Sequence, residues 1–233
     1  MKQTLITGAN RGLGLELTRQ LLARGDRVIA TCRQPKRAQV LQQWTSQYGD
    51  QLRVVALDVT EDDSVLAARI EIESTVDHLD MLVNNAAILV RTETLANFDP
   101  AVMRRTFDVN VTGVMRVTTH FLDLLSQGRE PKLINISSQL GSLQKMRPNW
   151  GRYSYNSSKA ALNMVTRMLA FDLQEIGIAV RVFHPGWVQT DMGGAHAAVT
   201  PRDSAAGILR LAEDLTLDNT GMFYLYSGEE HPW

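Results

Sequence analysis

Thr7-Gly8-Ala9-Asn10-Arg11-Gly12-Leu13-Gly14 joins an apolar stretch at residues 3–7 to an amphipathic run at 15–23. Strand, glycine-rich turn and helix therefore follow one another at the very start of the chain. Glycine accepts backbone conformations and close approaches that other residues resist, and the helix behind it offers unpaired N–H groups at the positive end of its dipole. That order suits the binding of a pyrophosphate. The spacing is G-x-x-x-G-x-G and not the G-x-G-x-x-G of the dinucleotide fingerprint, so by itself it leaves an ordinary strand-to-helix turn open.

Beyond this turn the same alternation continues. Apolar stretches at 3–7, 27–32, 52–57, 81–84, 133–137, 179–183 and 222–225 read as strands, and helical patterns lie between them at 15–23, 37–47, 62–75, 100–125, 155–174 and 202–215. Alternating strands and helices predict an α/β fold with a parallel sheet covered on both faces. Right-handed crossovers then give a doubly wound, seven-stranded Rossmann-type sheet, most simply in the order 3-2-1-4-5-6-7, with ligands above the carboxyl ends of the strands. The 233 residues carry 44% hydrophobic side chains and no linker or low-complexity tract, which predicts one domain over 1–233. With 24 basic and 25 acidic residues mixed along the chain, neither nucleic acid nor an anionic membrane is an expected partner. No leader pattern or spanning apolar run is visible, and the lone Cys32 has no disulfide partner, so a cytoplasmic location is expected. The five histidines, at 78, 120, 184, 196 and 231, form no metal-ligand spacing, and no metal is expected.

Polar residues fall where strands end. Arg33 follows the second strand, Asp58 the third, Asn84-Asn85-Ala86-Ala87 the fourth, Ser137-Ser138 the fifth and Pro185-Gly186-Trp187-Val188-Gln189-Thr190 the sixth. Each has a plain structural use: Asn turns a chain, Ser caps a helix, Asp58 starts one. Collected on one rim, they outline a site. Tyr155 and Lys159 stand four apart, on one face of a helix, where an ammonium can ease ionisation of a phenol and make it a proton donor for carbonyl chemistry. Tyr153 has Ser157 at the same spacing and no such partner. Of Ser137 and Ser138, adjacent on a strand, only one can face the site.

On these motifs the chain resembles the short-chain dehydrogenase/reductase family: TGANRGLG at 7–14, Asp58-Val59, NNAA at 84–87, Asn110 in Asn-Val-Thr-Gly, ISS at 136–138, YNSSK at 155–159 and PGWVQT at 185–190. The resemblance covers 7–226, and the stretch after Pro185 and the tail ending GEEHPW are similar to the short carbonyl reductases related to C-factor and sniffer. Ala87 departs from the family, which usually has glycine there. The resemblance implies hydride transfer between a nicotinamide cofactor and a carbonyl or alcohol, with Tyr155 as general acid and base, Lys159 lowering its pKa and holding the nicotinamide ribose, Ser138 holding the substrate oxygen and Asn110 reaching Lys159 through water. It further implies a cofactor bed of Gly8, Asn10, Arg11, Gly12, Leu13, Gly14, Asp58 and Val59, with Asn84 and Ala86 along the adenosine ribose and Pro185, Gly186, Val188 and Thr190 by the nicotinamide. Homodimers or tetramers paired through helices in 108–125 and 155–174 are implied as well.

Cofactor choice turns on Thr31-Cys32-Arg33, where a carboxylate would mark NAD. None is present, and Arg33 with Arg11 can offer guanidinium groups to a 2′-phosphate, so NADP(H) is expected over NAD(H). Two loops, 139–154 and 191–204, should form the substrate wall, with Gln139, Trp150 and Trp187 as contacts for a small carbonyl or alcohol compound. The competing reading is a dinucleotide-binding regulatory protein with little turnover, against which stand the four residues Asn110, Ser138, Tyr155 and Lys159.

Overall fold

The structure, a computed structural model, describes residues 1–147 and 152–233. Seven parallel strands form one sheet in the order 3-2-1-4-5-6-7: β1 Gln3–Thr7, β2 Arg27–Cys32, β3 Leu52–Ala56, β4 Met81–Asn84, β5 Lys132–Ile136, β6 Ala179–His184 and β7 Met222–Leu225. The sequence-based order is the observed one. Alternation along the central strands feeds two cores, because successive side chains leave a strand on opposite faces. Ile6, Val83 and Ile134 pack beneath α1 (Gly12–Ala23) and α7 (Pro201–Glu213), while Leu5, Leu82 and Leu133 pack beneath α3 (Asp62–Glu73), α5 (Gly113–Ser126) and α6 (Tyr153–Gln174). The remaining helices are α2 (Gln39–Tyr48), beside β3, and α4 (Pro100–Phe107), which packs on α6.

Several boundaries differ from the sequence pattern for local reasons. The predicted run at 100–125 is α4 and α5 joined by a π-helical turn at Asp108–Thr112 that carries Asn110. Helix α4 starts where Asp99 caps Ala101 N at 2.8 Å and Pro100 takes the first helical position. Helix α7 starts at Pro201 behind a Thr200 cap, so the second substrate loop is shorter than 191–204. Helix α6 begins at Tyr153, two residues before the expected start. Of the apolar residues on α5 and α6, Val117, Phe121 and Leu162 are buried, whereas Met164, Met168 and Phe171 are exposed.

Candidate functional site

Strand β1 pairs with both β2 and β4, so the chain leaves it in opposite directions and a crevice opens above that point. A cavity of about 890 Å³ fills the crevice, from Arg33 and Asp58 at one end to Tyr155 and Trp187 at the other. The glycine turn forms its floor, with Gly8 and Gly12 at φ +66° and +55°, in the left-handed region where a Cβ is strained. Helix α1 has neither a side-chain cap nor an acidic residue in its first turn, leaving its positive end bare toward the cavity. A dinucleotide's pyrophosphate fits that donor set.

Two expected cofactor contacts lie elsewhere. Gly14 does not reach the cavity; its role is packing, since a Cβ there would sit 2.5 Å from Asn85 Nδ2 and 2.5 Å from Gly8 O. Asn84 is 2% exposed and turned into the sheet, where Nδ2 donates to Thr118 Oγ1 at 3.1 Å and Asn135 Oδ1 at 2.9 Å. The last residue of β4 obeys strand alternation, and it is the next ones, Asn85 to Leu89, that line the cavity. Asn85, named in the sequence only as part of the rim motif, donates to Thr7 O at 2.9 Å and Gly8 O at 3.2 Å, while Thr7 Oγ1 accepts from Asn85 N at 3.0 Å and Ala86 N at 3.1 Å. These bonds tie the glycine turn to the end of β4.

At the far end of the cavity Arg33 is exposed and shares the lining with Cys32 and Asp58. Arg11 is exposed too, and pairs with Asp191 at 3.0 Å across the cleft mouth. A 2′-phosphate would compete with that carboxylate for Arg11. Asp58 Oδ1 accepts from Thr60 N at 3.0 Å and Thr60 Oγ1 at 2.8 Å, a turn that holds it at the rim beside Val59.

Tyr155, Lys159 and Ser138 meet at the other end, all lining the cavity although each is less than 10% exposed. Ser137 also borders the cavity, but its hydroxyl is turned to α6 and donates to Asn163 Oδ1 at 2.6 Å. Lys159 Nζ lies 5.8 Å from the Tyr155 ring centroid and donates to Ile136 O at 2.8 Å. Burial pushes the Tyr155 hydroxyl up to about 12, with the Ser138 hydroxyl and the Arg152 charge pulling the other way. Burial also brings the Lys159 ammonium down to about 7. From spacing alone the amine reads as a fixed cation that acidifies the phenol; in the folded chain the same desolvation opposes the charged form of both groups. At neutral pH Tyr155 is a protonated donor, and Lys159 is poised to gain or lose a proton.

Asn110 is fully buried and does not line the cavity. Its Oδ1 accepts from Ile88 N at 2.9 Å, and its Nδ2 donates to Ile88 O at 3.0 Å and Ser158 Oγ at 3.0 Å. Both amide hydrogens are thus spent on the protein, binding the loop after β4 to the residue before Lys159.

On the substrate side Gln139 and Trp187 line the cavity, and Trp187 Nε1 is held by Gly193 O at 2.8 Å; Trp150 lies outside the described residues. His184 also lines it, kept neutral by burial that lowers it to about 3, with the ring of His231 5.9 Å away. Arg91, not among the expected site residues, donates through Nη2 to Asp191 O at 2.7 Å and Met192 O at 2.5 Å. Among the described residues no three His, Cys, Asp or Glu side chains gather as metal ligands, and no helix is long and apolar enough to cross a membrane.

The family model for short chain dehydrogenases matches residues 2–199. The chain belongs to that family. The C-signal of Myxococcus xanthus is 41% identical over 155 residues, which span 66% of this chain and 93% of that protein. A 1-hydroxy-2-glutathionyl-2-methyl-3-butene dehydrogenase of Rhodococcus is 31% identical over 237 residues, covering 100% of both chains. Among solved structures, a carbonyl reductase from chicken fatty liver with NADPH bound superposes with a TM-score of 0.94 at 36% identity, over 100% of this chain and 99% of that one. The carbonyl reductase Sniffer of D. melanogaster gives a TM-score of 0.94 at 30% identity over the whole of both chains. This member of the short chain dehydrogenases is therefore an oxidoreductase of Rossmann fold whose structural neighbours include carbonyl reductases holding NADP.

Proposed function

We propose that residues 1–233 form one dinucleotide-binding domain that interconverts a small carbonyl compound and its alcohol, with NADP(H) preferred over NAD(H) and Tyr155 as general acid and base. The observation that carries this reading is the buried Tyr155 beside Ser138, with Lys159 Nζ 5.8 Å from its ring centroid, at the wall of a cavity of about 890 Å³. A bound reduced nicotinamide would supply the hydride. Gly8, Asn10, Arg11, Gly12 and Leu13 would hold the pyrophosphate side, Asp58, Val59 and Ala86 the adenosine, Arg33 its 2′-phosphate, and Pro185, Gly186, Val188 and Thr190 the nicotinamide.

Tyr155 gives its proton to the substrate oxygen, and Ser138 donates a hydrogen bond to that oxygen while charge grows there. The phenolate left behind is most costly in a buried site, which favours rapid return of a proton. Lys159, near 7, can carry one at neutral pH. Asn110 acts by fixing Ser158 and Ile88, and so the first turns of α6 against the loop after β4. The exposed Met164, Met168 and Phe171 supply an apolar face on α6 for pairing of two copies in solution.

The similarity to C-signal favours a second reading, a dinucleotide-binding regulatory protein with little turnover. NADPH consumption with a panel of aldehydes, ketones and quinones separates the two. The enzyme reading expects turnover that Tyr155→Phe abolishes while NADPH binding is kept. No turnover across the panel, or full activity in Tyr155→Phe, would refute it.

A further inference from the structure

We propose that Glu93 is a positioning residue for the reaction, a carboxylate that caps the catalytic helix from a loop 61 residues away in sequence. The assignment rests on the reading of Tyr155 given above. Helix α6 begins without the usual devices: Arg152, at its N-cap position, has φ 90° and ψ 55°, its side chain makes no capping bond, and no acidic residue occupies the first turn. The leading N–H groups of a helix need acceptors, and a buried end without them is costly.

Glu93 supplies one. Its Oε2 accepts from Ser154 N at 2.7 Å, and its Oε1 accepts from Ser154 Oγ in a second, shorter bond. Glu93 is 6% exposed and Ser154 1%, so the fork is shielded from water. Among the described residues Glu93 makes no ion pair, and its compensation is the positive end of α6 together with these two bonds. A carboxylate is kept in such a place only when its partners are good ones.

The position of this fork gives it consequence. Ser154 is the residue immediately before Tyr155, so the fork sets the rotation and height of the turn from which the phenol reaches toward Ser138. The loop that bears Glu93 is itself anchored at both walls of the cavity. Ile88 is gripped by the Asn110 carboxamide, and Arg91 holds the carbonyls of Asp191 and Met192. One strap after β4 thus registers the catalytic helix against the segment that follows β6.

The test uses the full chain with NADPH and benzaldehyde, or whichever panel compound is turned over, and expresses kcat per NADPH-binding site so that loss of folded protein does not count. Glu93→Ala should lower kcat by about ten-fold or more, since a displacement of about 1 Å can cost a hundred-fold, while the Kd for NADPH stays within about two-fold. Glu93→Gln keeps an acceptor for Ser154 N and can donate to Ser154 Oγ, and should recover kcat to within about three-fold of the parent. Wild-type kcat in Glu93→Ala, or Glu93→Gln as impaired as Glu93→Ala, overturns the assignment. Should Glu93→Ala not fold, Ser154→Ala removes one of the two bonds and should lower kcat alone by about two- to five-fold; an unchanged kcat there overturns it equally. Tyr155→Phe measured alongside separates the two ideas: an inactive Tyr155→Phe beside a fully active Glu93→Ala sinks only the role of Glu93, whereas an active Tyr155→Phe sinks the reading on which it rests.

Discussion

Replacing Lys159 with Met should remove a defined slope from the dependence of folding stability on pH. Lys159 is 2% exposed, and its ammonium, ordinarily at 10.5, is held at about 7. Between these two values the unfolded chain binds more protons at this site than the folded one, so stability rises with pH across the window. The contribution is fully present above 10.5 and is lost as pH falls to about 7. With those two values, the cost of burying the titrating amine is about 4 kcal/mol at pH 7 and about 2 kcal/mol at pH 9, a gain of about 2 kcal/mol over the interval. Tyr155, raised from 10 to about 12, works in the opposite sense only above pH 10 and stays out of this window. Met keeps the apolar length of the side chain and leaves Ile136 O without its donor, an offset that does not depend on pH. Urea unfolding of both proteins at pH 7, 8 and 9 and one ionic strength gives the comparison, because every other titrating group cancels in the difference. Equal slopes in the two proteins would show that Lys159 is not titrating in a dry site, and the proton-carrying role given to it would fall with that result.

Three further outcomes follow from the same geometry. Arg33→Ala should weaken NADPH binding and leave NADH binding unchanged, read by fluorescence titration; a loss common to both cofactors would remove Arg33 from recognition of the 2′-phosphate. Because the Arg152 charge pulls the Tyr155 hydroxyl downward, Arg152→Gln should move the pH limb of kcat assigned to Tyr155 upward, and a limb that stays or moves down contradicts this. Gly14→Ala places a Cβ 2.5 Å from Gly8 O, so it should cost about 1–3 kcal/mol in unfolding free energy and loosen NADPH binding, and an unchanged melting temperature would show that the turn yields.

The strand order, the glycine turn and the Tyr155/Lys159 pair were legible in the residues because each follows from general rules of pattern and connection, whereas the choice of Ser138 over Ser137 came from the family resemblance. Strand alternation, helical spacing and residues at strand ends need no knowledge of distant partners. The resemblance placed Asn84 along the adenosine ribose, but its side chain obeys the alternation of β4 and turns inward, leaving the cavity to Asn85 and its successors. Gly14 and Asn110 belong to the site's motifs yet serve as packing and tethering groups, a distinction made by neighbours far off in sequence.

What the chain's order of residues determined alone was the doubly wound sheet and the chemistry gathered on its rim, since periodicity and glycine placement are local properties. Tertiary structure decided the rest. Burial set the proton affinities of Tyr155 and Lys159, and Glu93 and Arg91 acquired partners only when loops distant in sequence closed over the same cavity, because desolvation and contact are properties of the folded surroundings and not of any residue's place in the chain.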